Sequence, residues 1–192
     1  MNSDVHLSRD EAQVSLETIA RIQRQTRRTV AHGGGPWHMM VWGTIWFLGF
    51  LANQFLTPEQ AGMIWTIMAG LGMIASFVIG WWYSKKMRRP LQDARIGLFW
   101  LAWFVNSSVI VYLTKAYQDA TVLNLTIAVL AMFGYVVMGL WLWQPLAWVG
   151  IAVTIIATLA YTWMPEYVNL IMALLGGGTL FFSGLYIYRS WR

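Results

Sequence analysis

Residues 81–95, WWYSKKMRRPLQDAR, decide how this chain folds. Three aromatic rings open the stretch, and the cations Lys85, Lys86, Arg88, Arg89 and Arg95 follow. Long apolar segments lie on both sides of it. Basic residues in short loops stay on the cytoplasmic side during membrane insertion. The stretch therefore predicts the end of one membrane-spanning helix at residue 83 and an inner loop at residues 84–95 before the next.

The remaining basic residues follow the same rule. They are Arg9, Arg21, Arg24, Arg27 and Arg28 before the first apolar segment, Lys115 in the middle of the chain, and Arg189 and Arg192 after the last segment. With six spans assigned, twelve of the thirteen Lys and Arg lie on one side, and only Lys115 lies opposite. We therefore expect a multi-pass protein of a cell membrane, of the bacterial cytoplasmic type, with both termini in the cytoplasm.

The apolar segments predict six transmembrane helices, at residues 37–56, 61–83, 96–114, 121–143, 145–163 and 166–188. Each has about 18–23 residues, the length that a hydrocarbon core of about 30 Å requires at 1.5 Å per residue. Pro58 and Pro165 lie in the short connections, as in tight helical hairpins. The expected fold class is all-α, a six-helix membrane bundle of three hairpins over residues 36–192.

The composition agrees with lipid as the solvent. Of the 192 residues, 58% are hydrophobic and 11% are charged, whereas a soluble domain carries about a quarter charged residues. The net charge of +5 would fit nucleic acid, but the cations adjoin the spans, where they orient the chain and attract anionic headgroups. We therefore expect no nucleic-acid partner. The absence of cysteine excludes disulfides and thiolate chemistry.

Residues 1–35 predict a cytoplasmic basic amphipathic helix that ends in a glycine-rich hinge at 33–35. The helix has a thin apolar stripe, and its basic face carries Arg21, Arg24, Arg27 and Arg28. Such a helix can lie on anionic lipid or dock a membrane or cytosolic protein partner. Together with Lys85, Lys86, Arg88 and Arg89, these residues form the predicted surface for lipid or a partner.

Small residues recur at helical spacing in the even-numbered spans. They are Gly72, Ser76 and Gly80 in the second span, and Gly177 and Gly184 in the sixth. Small side chains let helix backbones approach closely in lipid. We expect these positions to be packing faces within one chain, and one of them could instead form the seam of a homo-oligomer.

Polar side chains gather in the odd-numbered spans. They are Asn53, Asn106, Ser107, Thr154 and Thr158. One interpretation is hydrogen bonding that holds helices together, worth about 0.6–2 kcal/mol per bond. The other is a polar path through spans one, three and five for a small neutral solute.

No Asp, Glu, Lys, Arg or His is predicted deep in a span, and ion-coupled transporters usually need such groups. The stretch His32-Gly33-Gly34-Gly35 looks like the oxyanion motif of some hydrolases. Those enzymes also need a Gly-x-Ser-x-Gly nucleophile elbow, which the chain does not contain. We predict no catalytic, cofactor-binding or metal-binding residue. The favoured hypothesis is a non-enzymatic accessory subunit of a membrane complex, and the alternative is a channel or facilitator for a small neutral solute.

Overall fold

The computed structural model of the chain describes residues 13–18, 21, 34–85, 90–141 and 144–190. Within these ranges the chain is almost entirely helical and contains no strand. Of the predicted cytoplasmic helix, residues 13–18 are helical and mostly exposed, and Arg21 is exposed. The rest of that helix and the first part of the hinge lie outside the described residues.

Five long helices are followed by an interrupted C-terminal run. The long helices are α1 (Gly35–Phe55), α2 (Pro58–Ser84), α3 (Pro90–Leu113), α4 (Ala120–Trp141) and α5 (Gln144–Trp163). The C-terminal run consists of α6 (Val168–Ile171), a π-helical segment (Met172–Gly177) and α7 (Gly178–Ser190). Single 3-10 turns, Ala116–Gln118 and Pro165–Tyr167, precede α4 and α6.

Local chemistry sets the boundary between α1 and α2. The Thr57 hydroxyl accepts from the amide of Gln60 at 3.4 Å, and the Gln60 side chain accepts from the amide of Thr57 at 3.3 Å. This reciprocal capping box satisfies two amides that the start of a helix leaves free. Pro58 fits the first helical position because its missing N–H has no partner there anyway. At the other end of α1, Gly34 has φ +81, a conformation that glycine adopts without strain.

Among the described residues, four helices are long and apolar enough to cross a membrane: Pro58–Tyr83, Ala120–Trp141, Gln144–Trp163 and Pro165–Ser190. The described part of the chain is therefore helical, with several helices compatible with a membrane protein, as the sequence predicts. Helix α1 is not among the four, since His38, Asn53 and Gln54 lower its hydropathy. The apolar part of α3, Gly97–Leu113, is shorter. The spans at 37–56 and 96–114, and hence the count of six, remain predictions.

The helices with the most extensive contacts pack one against the next in a row. Helix α2 packs on α1, α1 packs on the C-terminal run, the run packs on α5, α5 packs on α4, and α4 packs on α3. Helices α2 and α3 therefore occupy the two ends of the row. They are also the helices whose side chains are most exposed, and the predicted inner loop connects them in the chain.

The core lies where α1, α4, α5 and the C-terminal run meet. Its largest members are Trp46 and Phe50 of α1, Met132 of α4 and Met172 of the π-helical segment. Met132 and Met172 have no exposed surface. Thioether side chains fill irregular gaps between helices, which suits a region where a π-helical segment interrupts the regular packing.

Candidate functional site

A polar cluster joins α1 to α2 near the start of α1. The indole N–H of Trp42 donates to the hydroxyl of Ser76 at 3.0 Å. The two ring nitrogens of His38 lie 2.9 Å from the carbonyl oxygen of Gly34 and 3.2 Å from that of Ser76. A neutral imidazole donates from one nitrogen only, so the neutral ring satisfies one of these two carbonyls. Hydrogen bonds between helices hold them together in lipid, and the cluster fixes the register of α1 against α2.

A second polar contact joins the end of α1 to the start of the C-terminal run. The side-chain amide of Gln54 donates to the carbonyl of Glu166 at 3.0 Å, and its oxygen accepts from the amide of Leu170 at 3.2 Å. The amide of Leu170 lies in the first turn of α6, where backbone N–H groups lack partners within the helix. Gln54 therefore acts as a cap supplied by another helix.

Three buried polar atoms near this contact have no hydrogen-bond partner among the described residues. They are Nδ2 of Asn53, Nε1 of Trp65 and Oδ1 of Asn169. Asn53 and Asn169 adjoin the bonded pair Gln54 and Leu170 in sequence. Two donors and one acceptor left unsatisfied are costly in an apolar environment. Two of these atoms belong to residues next to the Gln54 contact, on α1 and α6, and the third belongs to α2.

The predicted polar-path residues do not converge. The hydroxyl of Thr154 donates to Gly150 O at 2.8 Å, and that of Thr158 donates to Thr154 O at 2.9 Å. Asn106 donates to Ala102 O at 2.8 Å in its own helix. Thr158 and Asn106 are exposed on the outside of the bundle, whereas Ser107 is 7% exposed. Thr154 and Thr158 belong to α5 and Asn106 belongs to α3, and each bonds a carbonyl of its own helix.

An open groove of about 380 Å³ lies between α1 and α2. Its lining is apolar: Leu48, Leu51, Ala52, Leu56, Ile64 and Met68. Such a lining suits the acyl chain of a lipid rather than a polar solute.

The predicted packing residues divide into two groups. A Cβ added to Gly177 would lie 2.6 Å from Phe47 N, and one added to Gly184 would lie 2.7 Å from Pro36 O, so the C-terminal run touches the backbone of α1 at both. A Cβ on Gly72 would meet the side chain of Ile45. Ser76 contributes its hydroxyl to Trp42. Gly80, by contrast, has no described atom within 4 Å of an added Cβ, because it faces away from the bundle.

Three close contacts involve glycines that the sequence reasoning missed. A Cβ on Gly43 would lie 2.5 Å from Phe181 N. A Cβ on Gly139 would meet the backbone of Ala147, and one on Gly150 would lie 2.6 Å from Met132 O. These glycines bring α1 against α7 and α4 against α5. Gly43 and Gly150 lie in the odd-numbered spans, and Gly43 has only large residues three and four positions away (Met39, Met40, Trp46 and Phe47), so small-residue spacing does not reveal it.

The basic surface is only partly described. Lys85 is exposed, and its ammonium group lies 3.6 Å from the centre of the Trp81 ring. A cation over the face of an indole is attracted by the ring quadrupole. Arg24, Arg27, Arg28, Lys86, Arg88 and Arg89 lie outside the described residues. Among the described residues, no three His, Asp or Glu side chains group together as metal ligands would.

Comparisons of the chain with protein-family models, with curated proteins and with solved structures found no match. The function is therefore inferred from the residues and contacts described above.

Proposed function

We propose that the chain crosses the membrane six times as three hairpins, with both termini in the cytoplasm. The four candidate spans support four of these crossings. Helix α1 has 21 residues, enough at 1.5 Å per residue to cross a core of about 30 Å, and α3 contributes the apolar segment Gly97–Leu113. The distribution of Lys and Arg supports the orientation, because twelve of thirteen then face the cytoplasm.

Within that topology we propose a non-enzymatic accessory subunit of a membrane complex. The observation that carries the proposal is the surface of α2. In its most apolar window only 6% of the residues are buried, against 28–39% in the other three candidate spans. A helix with so little surface used inside its own chain is available to lipid or to another membrane protein.

The hydrogen bonds of the polar groups in the spans also favour a packed scaffold over a conduit. Thr154, Thr158 and Asn106 hydrogen-bond within their own helices. Serine and threonine hydroxyls that bond the carbonyl four residues earlier need no further partner. Trp46, Phe50 and the buried methionines fill the space between helices, as a protein core does.

The test of this proposal is the mass of the native complex in a mild detergent, after purification from its own membranes. We expect defined additional subunits with the full-length chain. A native complex that contains this chain and no other subunit would contradict the accessory role.

The N-terminal basic helix is proposed to bind the anionic membrane surface or a partner's acidic surface. Each basic residue close to an anionic surface contributes about 1 kcal/mol, and the effect falls with salt. The full chain, labelled at Ser8→Cys because it has no other cysteine, can be placed in vesicles with and without anionic lipid. We expect a quencher attached to the anionic membrane surface to reduce the fluorescence of the label. This reduction should disappear when Arg21, Arg24, Arg27 and Arg28 are all changed to Glu.

The matched control is Lys115→Glu, since Lys115 is the one basic residue assigned to the opposite side. That variant should leave the quenching unchanged. Equal quenching in the fourfold variant would remove the support for a surface-binding helix.

A second candidate, a facilitator for a small neutral solute, is favoured by one observation. Asn53 and Trp65 hold buried donors, and Asn169 holds a buried acceptor, without partners among the described residues. Each of these atoms could hydrogen-bond to a small amide, an alcohol or water. A proteoliposome swelling assay tests this candidate: permeation must exceed that of empty liposomes and fall with Asn53→Leu, while Thr154→Val serves as the control. Permeability equal to that of empty liposomes eliminates it.

A further inference from the structure

Asn106 places a primary amide on the outside of the bundle. Its side chain is exposed, and among the described residues it makes one hydrogen bond, from Nδ2 to Ala102 O at 2.8 Å. The side-chain oxygen and the second N–H have no described partner. Asn106 is near the middle of the predicted span 96–114. In the proposed topology, on which this inference rests, both groups therefore face hydrocarbon, where unsatisfied polar groups cost several kcal/mol.

The opposite side of α3 is already used. The indole N–H of Trp103 donates to Leu130 O at 2.8 Å, and Trp100 packs against Tyr135 at a centroid distance of 6.1 Å. Ser107, the position next to Asn106, is buried. These contacts anchor one face of α3 on α4. The face that bears Asn106 points away from α4 and makes none of these contacts.

The residues beside Asn106 on that face are short. Ala102 lies one turn before it and Val109 lies one turn after it, and both are exposed. Val105 is also exposed. Short side chains let a second helix approach closely enough for side chains at mid-depth to hydrogen-bond across the interface. A Leu or Phe at Ala102 would hold such a helix away from the amide.

We propose that this face of α3 (Ala102, Val105, Asn106 and Val109) is the interface with a second copy of the chain. A primary amide has both donors and an acceptor, so two copies of Asn106 related by a twofold axis satisfy each other. A twofold interface is isologous and needs only this one patch. In a membrane the two copies share one orientation, so their α3 helices run parallel and the two amides meet at the same depth.

In the proposed topology, the parallel α3 helices put the predicted inner loops of both copies on the same side of the membrane. Each copy carries Lys85, Lys86, Arg88, Arg89 and Arg95 at the cytoplasmic end of the pair. Like charges repel within a screening length of about 8 Å at physiological salt. Anionic lipid between the loops offsets this repulsion. The dimer is therefore expected to be tighter in anionic than in zwitterionic bilayers.

Single-cysteine crosslinking tests the interface in proteoliposomes. The chain has no cysteine of its own, so each variant reports one position. We expect a disulfide-linked dimer with Ala102→Cys and Val109→Cys. Phe133→Cys in α4 is the matched control, because Phe133 is 60% exposed on another helix and should remain monomeric.

A second measurement tests the role of the amide itself. Energy transfer between labelled copies, followed as lipid is added, gives the dissociation constant in the bilayer. Asn106→Leu should weaken dimerisation about three- to thirtyfold, the range that corresponds to hydrogen bonds between membrane helices. Ser108→Ala is the control, because the Ser108 hydroxyl donates to Phe104 O in its own helix.

Three results would overturn the proposal. The first is crosslinking at Phe133 equal to that at Ala102, and the second is a dissociation constant unchanged by Asn106→Leu. The third is crosslinking through the other uncovered helix, at Gly70→Cys of α2, with none at Ala102. A separate measurement tests the topology on which the proposal rests. If α3 does not cross the membrane, Asn106→Cys should react with a membrane-impermeant maleimide in the absence of detergent.

Discussion

The contact between α1 and the C-terminal run gives the sharpest mutational prediction. At Gly177 an added Cβ would lie 2.6 Å from Phe47 N and 2.9 Å from Gly43 O. At Gly43 it would lie 2.5 Å from Phe181 N and 2.8 Å from Gly177 O. Ordinary contacts of a Cβ begin at 3.4 Å. Because the opposing atoms are backbone, a methyl group can be accommodated only if the two helices separate by several tenths of an ångström.

The size of the effect follows from packing energetics. Forcing an extra methyl into a packed interface costs about 1–3 kcal/mol. Replacing glycine by alanine in a helix returns up to about 1 kcal/mol through helix propensity. Gly80→Ala is the matched control, since an added Cβ there meets no described atom within 4 Å. The difference between Gly177→Ala and Gly80→Ala therefore isolates the clash, and we expect it to be about 1–3 kcal/mol.

Equilibrium unfolding in mixed micelles, followed by tryptophan fluorescence, measures this difference. Gly43→Ala should resemble Gly177→Ala. The double variant should cost less than the sum of the two single changes, because one separation of the helices makes room for both methyl groups. A Gly177→Ala protein as stable as Gly80→Ala would refute the close backbone contact, and strict additivity would refute the shared gap.

Three further changes test individual contacts by the same unfolding measurement. Trp42→Phe and Ser76→Ala should each cost about 1 kcal/mol, and the double variant no more than either alone, since both remove one hydrogen bond; full additivity would contradict the bond. Gln54→Leu should cost about 1–3 kcal/mol, because the carbonyl of Glu166 and the amide of Leu170 lose their partner; an unchanged unfolding midpoint would contradict the capping role. Thr158→Val should stay within about 0.5 kcal/mol, because the hydroxyl is exposed and bonds its own helix; a larger loss would indicate a partner for this side chain.

The sequence predicts helices well because long apolar segments and turn residues determine them locally. The second span was placed at 61–83, and α2 begins earlier, at Pro58, because the Thr57–Gln60 capping box adds a turn. The π-helical segment Met172–Gly177 was not predicted. This segment contains Gly177, which lies close to the backbone of α1, and such tertiary contacts are not visible in a local sequence pattern.

The direction in which each residue faces was harder to predict. In a membrane both the lipid-facing and the buried sides of a helix are apolar, so hydropathy does not distinguish them. Gly72 and Gly80 therefore look alike in sequence, although the first packs on α1 and the second faces outward. For the same reason, the polar residues of the odd-numbered spans could not be assigned to one path or to separate faces before their hydrogen bonds were known.

The central claim is that the chain crosses the membrane six times with both termini in the cytoplasm. Labelling of single cysteines in intact cells tests it most directly. The account predicts that Thr57→Cys and Lys115→Cys react with a membrane-impermeant maleimide from outside, whereas Lys85→Cys and Gln144→Cys react only after the membrane is permeabilised. Lys85 and Lys115 bracket α3, and Thr57 marks the C-terminal end of α1; α1 and α3 are the two crossings that rest on the sequence. Protection of Thr57→Cys or Lys115→Cys, or labelling of Lys85→Cys from outside, would contradict the six-span topology.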